Sequence, residues 1–283
     1  VGIEFYEADI RFPMRFLMDK NIKGSLNIEG SFDVEDTVDR IYKEPELTPT
    51  EFKPELKIIS LDIETSSDGK KIYSIALYSK DYQKVLLVSK KELKNILTFK
   101  DESSLLNAFV QEIKTFDPDI ITGWNVLNFD LKYLNEKFKK HKIEFSISKD
   151  LSKPKFKFSD NFFKASTVDI VGRQVLDAID LLKSSFIKMQ DYKLSTVASK
   201  VLGKSKLIEE LNKGLEIDRL FKESPERLAE YNLNDSLLVY QIIEKTGILD
   251  LTIKRSTLTG MELDKVSSSI ASLDSLYIRE ANQ

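Results

Sequence analysis

The sequence predicts an α/β protein, a β-sheet covered by helices with a β-hairpin inserted and a small β-rich piece in front. Two observations carry this. Between Lys57 and His141 the pattern reads as three strands, a helix, a strand and a helix, the order of an α/β layer structure. Ile143, Phe145 and Ile147, then Phe156 and Phe158, alternate with polar residues on either side of a Ser152-Lys153-Pro154 turn, which breaks that order as a hairpin would.

In chain order, residues 1–36 read as short strands, Glu4–Ile10 and Leu26–Val34, around a helical turn at Met14–Asp19. Residues 37–56 are polar, contain Pro45, Pro49 and Pro54, and read as a connector. The run Lys57–Thr65 is the first strong strand, followed by Ile72–Ser79 and Lys84–Val88 as a meander. Leu105, Leu106, Phe109, Ile113 and Phe116 sit at helical spacing over Glu102–Phe116, which Asp117-Pro118 ends. Asp119–Thr122 is a short buried strand, and Leu131, Leu134 and Phe138 share one face of a helix from about Phe129 to His141. Val175–Leu182 is open between strand and helix, and Leu194–Leu202 and Leu207–Asn212 are helical. A last long helix opens with Ser224 as N-cap and Pro225 at its first position.

Composition removes several kinds of chemistry. The 283 residues contain no cysteine and one histidine, His141, so thiolate sites, multi-histidine zinc sites and a Ser-His-Asp triad have little or no material. No apolar run approaches a membrane span and no signal peptide is visible, so no membrane partner and a cytoplasmic location are expected. The chain begins at Val1, as an excised fragment would. A net charge of -3 argues against a simple basic nucleic-acid binder, although lysines cluster in Lys132–Lys142 and Lys149–Lys164.

The chemistry concentrates in two places. On a strand, Asp62 and Glu64 project from one face roughly 6.5 Å apart, while Leu61 and Ile63 face the other way. Two carboxylates at the end of a buried strand repel unless a cation joins them, and all-oxygen ligands suit Mg2+ or Mn2+. The alternative is an edge strand with solvated acids. On the last helix, Leu228, Tyr231, Asp235, Leu238 and Ile242 form one stripe, which sets Tyr231 and Asp235 one turn apart in an apolar seam. Such a carboxylate needs a partner, either a metal shared with Asp62 and Glu64 or a nearby amide or lysine. Asp130, in the first turn of its helix, is favourably placed by the helix dipole alone.

Asp-x-Glu on a strand, Asn125-x-x-x-Phe129-Asp130 at a loop–helix junction and Tyr231-x-x-x-Asp235 on a late helix together resemble the three exonuclease motifs of the family B DNA polymerases. Tyr6–Arg11 and Arg15–Met18 are similar to the amino-terminal domain of that family. Gly172-Arg173, Val175–Asp177, Tyr192–Leu194 and Val201–Gly203 resemble its exonuclease connecting elements. Arg255–Asp264 resembles the lead into the palm and is most similar to bacterial members. The resemblance covers nearly the whole chain, and no palm, fingers or thumb motif follows.

What it implies is a ribonuclease H-like mixed β-sheet flanked by helices. The divisions would be a partial amino-terminal domain and connector at 1–56, a 3'–5' exonuclease domain at 57–250 and a helical lead-in to the palm at 251–283. It implies two divalent ions, Mg2+ or Mn2+. Asp62, Glu64 and Asp235 would hold the first, Asp62 would bridge to the second, and Asp130 would act through bound water. Tyr231 would hold the attacking water. The histidine branch of this class is a poorer match, since position 230 is Glu. Thr65, Asn125 and Phe129 match positions that cradle the terminal nucleotide, with Phe129 equally able to be core. Lys206, in Leu-Gly-x-x-Lys, matches a place over the scissile phosphate or is a solvated surface lysine. The implied partners are single-stranded DNA at its 3' end, the remainder of the polymerase chain and, through missing regions, a sliding clamp. The hairpin at 142–172 would assist strand transfer or simply cover a sheet edge. Rival readings are a free-standing RNA-trimming exonuclease and a catalytically silent DNA-binding module.

Overall fold

The computed structural model describes residues 10–36, 38–159, 166–185, 187–204 and 213–281. Contacts divide the chain into two compact units, Leu56–Leu249 and a second made of Val1–Glu55 with Asp250–Gln283.

The larger unit is built on a six-stranded mixed sheet. Its strands are β5 (Ile58–Thr65), β6 (Ile72–Ser79), β7 (Tyr82–Val88), β8 (Leu97–Phe99), β9 (Ile120–Gly123) and β12 (Gln174–Asp177), in the order β12-β9-β5-β6-β7-β8. β5 runs antiparallel to β6 and parallel to β9, and β9 parallel to β12. The carboxyl ends of three parallel strands therefore share one edge, where Gly123 and Asp177 form the last β9–β12 pair and Leu61 follows the last β5 residue paired with β9. Such an edge is where open α/β sheets place their sites.

Strand alternation sorts the faces. Ile59, Leu61 and Ile63 pack with Leu105, Phe109 and Ile113 of α2 (Glu102–Phe116) and with Leu131, Leu134 and Phe138 of α3 (Asp130–His141). The opposite face carries Asp62 and Glu64 and is crossed by α7 (Pro225–Thr246), which packs on β5, β6 and β7. Beside it α6 (Lys213–Glu223) contributes Ile217 and Leu220 to a core with Tyr73, Leu87, Leu228 and Tyr231. At fully buried positions each such side chain stabilises by about 1.5–3 kcal/mol.

The expected α2, β9, α3 and α7 stand within a residue or two of their predicted bounds. Ser224 is the N-cap of α7 with Pro225 following, but its hydroxyl makes no cap bond. Instead, its carbonyl accepts the Arg227 N–H at 3.0 Å. Val175–Leu182 resolves into both options, the end of β12 and then α4 (Ala178–Ser184).

Two expectations change. Ile143, Phe145 and Ile147 alternate without forming a strand. Phe145 stacks on Phe138 at 4.2 Å, and Arg173 Nε donates to the Ile147 carbonyl at 2.7 Å in place of a ladder partner. The hairpin strands are β10 (Lys155–Lys157) and β11 (Thr167–Asp169), paired antiparallel, and residues 160–165 between them lie outside the described residues. Residues 37–56, expected as a connector, contain β3 (Val38–Tyr42) and β4 (Glu46–Pro49). These pair with β2 (Phe32–Glu35) and β1 (Leu26–Glu29); Pro45 immediately precedes β4 and Pro49 ends it, where no ladder amide is needed, and Pro54 lies in the coil before β5.

In the smaller unit α9 (Ser269–Ala281) packs on α1 (Phe12–Asp19). Arg279 is buried there and donates from Nη1 to the Leu17 carbonyl at 3.3 Å. Glu4–Asp9, Lys206 and the predicted helix Leu207–Asn212 lie outside the described residues.

Candidate metal centre

Asp62 and Glu64 leave β5 on the α7 face as their spacing requires, and α7 brings Asp235 to them. One carboxylate oxygen from each of the three lies within 4.8 Å of the others, with Glu64 and Asp235 buried. Ionised carboxylates this close and this dry repel strongly unless a cation is shared. Three oxygen ligands on a rigid strand and a rigid helix fit a hard divalent ion such as Mg2+ or Mn2+.

Two further groups fix this cluster. Asn232, fully buried on α7, donates from Nδ2 to Asp62 Oδ2 at 2.6 Å and accepts from Ser74 Oγ at 2.7 Å. Ser74 stands opposite Glu64 in the β5–β6 register, so β6, α7 and β5 are joined through one amide. Lys213, the first residue of α6, places its ammonium 3.1 Å from Glu64 Oε1 and 5.3 Å from the centre of the Tyr231 ring. Burial alone would lower the Lys213 pKa. The negative charges of Glu64, Asp62 and Asp235 reverse this and raise it well above the usual lysine range. α6 is held in place by Asp218, which accepts from the Ser67 N–H at 3.1 Å and from the Tyr73 hydroxyl at 3.0 Å.

Tyr231 is 1% exposed in the seam, one turn before Asp235. Burial, then the Asp235 charge, push its phenol pKa far above the ordinary value against the opposing pull of Lys213, so it is neutral and a hydrogen-bond donor. Asp130 is 1% exposed; its Oδ1 accepts the Ile63 N–H at 2.9 Å, and its Oδ2 has no hydrogen-bond partner among the described residues. Burial, reinforced by the Asp62 charge, raises its pKa well above the carboxylate range. It thus stands beside Asp62, bonded to the β5 backbone, and is not one of the three clustered ligands.

A cavity of about 250 Å3 opens beside the cluster, lined by Glu64, Thr65, Phe129, Tyr133, Lys213 and neighbouring residues. Phe129 is 37% exposed and rests on Tyr133 at 4.9 Å, so it is a wall and not core. Asn125 is exposed on the loop before α3, in the left-handed region at φ 61°, and does not line this cavity. The chain thus brings together Asp62, Glu64, Asp235 and Tyr231, sets Thr65 and Phe129 at the adjoining cavity, and holds Asp130 on the Ile63 amide outside the three-oxygen cluster.

Sequence reasoning missed Asn232 and Lys213. For Asn232 a signal existed: it lies three residues before Asp235, on the inward face. Lys213 had none, being one of 43 Lys and Arg residues with no pattern around it.

Residues 3–197 match the family model described as DNA polymerase family B, exonuclease domain. DNA polymerase II of Escherichia coli is 32% identical over 98% of this chain, and the DNA polymerase delta catalytic subunit of Plasmodium falciparum 28% identical over 92%. The chain spans 36% and 28% of those relatives' lengths. The solved structure of a family B DNA polymerase from Pyrobaculum calidifontis superposes with a TM-score of 0.74 at 21% identity, covering 99% of this chain and 36% of that one.

Proposed function

Since the chain belongs to the family B DNA polymerases through their exonuclease domain, we propose that it is the proofreading 3'–5' exonuclease region, releasing 3'-terminal nucleotides from single-stranded or mismatched DNA. The observation that carries this is the cluster of Asp62, Glu64 and Asp235 oxygens within 4.8 Å. In this reading the fold is ribonuclease H-like, and the polymerising palm, fingers and thumb lie in the remainder of a longer chain.

Asp62, Glu64 and Asp235 would hold a first divalent ion, and Asp62 with Asp130 would serve a second. Such ions, when bound, activate water and stabilise the leaving 3'-oxygen. Asn232 keeps Asp62 in one rotamer, so that the ligand set is formed before an ion arrives. Tyr231, neutral and buried, positions the attacking water as a donor and takes no proton. Asp130, fixed to the Ile63 amide, would help to hold the second ion. Thr65 and Phe129 receive the terminal nucleotide in the cavity, Phe129 by stacking, with Asn125 contacting it from the loop. Lys206 completes the proposed set over the scissile phosphate. A paired terminus must first unpair, which costs a few kcal/mol and less for a mismatch.

The test is hydrolysis of end-labelled oligonucleotides with Mg2+ or Mn2+. Mononucleotide release from DNA 3' ends, faster from single strands and mispaired termini than from paired ones, is expected. Preference for RNA of the same sequence favours the RNA-trimming reading, and absence of both hydrolysis and metal binding favours the silent module.

A further inference from the structure

The loop from Trp124 to Asn128 joins β9 to α3 and carries or leads into three proposed site residues, Asn125, Phe129 and Asp130. It crosses the carboxyl edge of the sheet, next to the end of β12. There stands Asp177, 5% exposed, aligned with Gly123 in the parallel register. Its Oδ1 accepts N–H groups from Asn125 at 3.2 Å and Ile179 at 3.0 Å, and its Oδ2 accepts from Leu127 at 3.4 Å. We propose that Asp177 is a positioning residue for the exonuclease site: its carboxylate clamps the 124–128 loop to the sheet edge and thereby sets where Asn125, Phe129 and Asp130 stand. This rests on the exonuclease reading for its consequence and on geometry alone for the clamp.

Trp124 Nε1 donates to the Tyr192 carbonyl at 3.1 Å and Val126 is buried in the core, while the loop amides of Asn125 and Leu127 go to Asp177. Gly123 is pressed against β5: a Cβ there would lie 2.5 Å from the Leu61 carbonyl and 3.0 Å from Val126. The chain turns at once, and Asn125 takes a left-handed conformation that costs a non-glycine residue of order 1 kcal/mol. The amide of that strained residue points at Asp177. The loop then starts the helix. The Asn125 carbonyl accepts the Phe129 N–H at 3.0 Å and the Val126 carbonyl accepts the Leu131 N–H at 2.9 Å, while α3 has no side-chain cap of its own. Displacement of Asn125 and Leu127 is therefore passed to the first turn of α3, where Asp130 must meet Ile63. Burial, with repulsion from Asp180, raises the Asp177 carboxyl to about 6, and the three N–H bonds hold it no higher, so it is ionised and a full acceptor at neutral pH.

The experiment compares Asp177→Ala and Asp177→Asn with wild type by three readouts: amide hydrogen exchange, Mn2+ binding, and steady-state hydrolysis of single-stranded DNA. In Asp177→Ala, exchange at Asn125 and Leu127 accelerates at least tenfold, and KM for single-stranded DNA rises about tenfold. Affinity for the first Mn2+ stays within twofold, because Asp62, Glu64 and Asp235 stand on β5 and α7. Asp177→Asn keeps one acceptor oxygen and covers the case in which the alanine variant fails to fold. Its Asn125 amide stays protected, its Leu127 amide exchanges faster, and kcat/KM returns to within about threefold of wild type. Unchanged exchange at both amides in either folded variant overturns the clamp, as does a fall in melting temperature with KM within twofold of wild type. If wild type hydrolyses neither DNA nor RNA, the exonuclease reading falls by itself and exchange still decides for or against the clamp.

Discussion

Replacing Lys213 with Met should make the acidic cluster bind a divalent ion more tightly. In the ion-free protein the lysine ammonium stands where positive charge is needed, 3.1 Å from Glu64 Oε1, and an arriving cation must displace it. A unit-charge pair at that distance is worth about 5 kcal/mol at an effective dielectric of 20 and about 1 kcal/mol in bulk water. The Glu64 side chain is 5% exposed but that of Lys213 is 38% exposed, so solvent screens much of this attraction. A working value of about 2 kcal/mol corresponds to roughly a thirtyfold change in an equilibrium constant. Met retains most of the aliphatic stem and removes the charge. Isothermal titration with Mn2+ in the absence of DNA should give a Kd about thirtyfold lower than wild type. The ion-free variant should melt at a lower temperature, its carboxylates having lost their counter-charge, and recover on adding Mn2+. An unchanged or weaker Mn2+ affinity in a folded variant would refute the idea that Lys213 competes for the site.

Three more substitutions probe the same residues. Asp62→Ala should abolish hydrolysis by several orders of magnitude, yet shift the melting temperature of the ion-free protein little. Relief of repulsion with Glu64 is offset by the unpaired Asn232 amide, so retention of more than a tenth of the wild-type rate at saturating Mg2+ would sink the ligand assignment. Tyr231→Phe should lower kcat by about ten- to a thousandfold while leaving Mn2+ binding intact, the cost of one orienting hydrogen bond, and single-turnover rates would show it. Asp130→Asn should raise the melting temperature at pH 7. The folded-state pKa is raised above the unfolded value, so ionising this carboxyl costs stability as pH rises through that interval, and a neutral amide escapes the cost while keeping an oxygen for the Ile63 N–H. A stability difference that does not shrink towards low pH, measured by thermal melts from pH 4 to 8, would contradict that account.

Much of the fold was legible because burial is periodic. The α7 stripe of Leu228, Tyr231, Asp235, Leu238 and Ile242 is buried throughout, as its three-four spacing required. The same principle misled at Ile143–Ile147. Alternation reports one-sided burial, and a coil lying on Phe138 with its carbonyl held by Arg173 produces that pattern without any neighbouring strand. β8 escaped notice for the converse reason. Its three residues, Leu97–Phe99, are half-buried on both sides at the sheet edge and show no period at all.

The acids of the centre were legible as anomalies, charged residues where the surrounding period demanded apolar ones. Their partners were not, since a partner is defined by pairing across the sheet. Asn232 matters only because Ser74 lies opposite Glu64 in the β5–β6 register and Asp62 lies 170 residues away in sequence. Asp177 stands in the sequence only within a connecting element; the structure makes it the cap of α4 through Ile179, and its second task appears only when β12 is laid beside β9 and the Asn125 amide comes within 3.2 Å. Lys213, beside the carboxylates, is indistinguishable in sequence from the lysines on the surface. A reading that counts acids along the chain therefore overstates the free negative charge at this site, because Lys213 and the Asn232 dipole already oppose part of it before any metal ion binds.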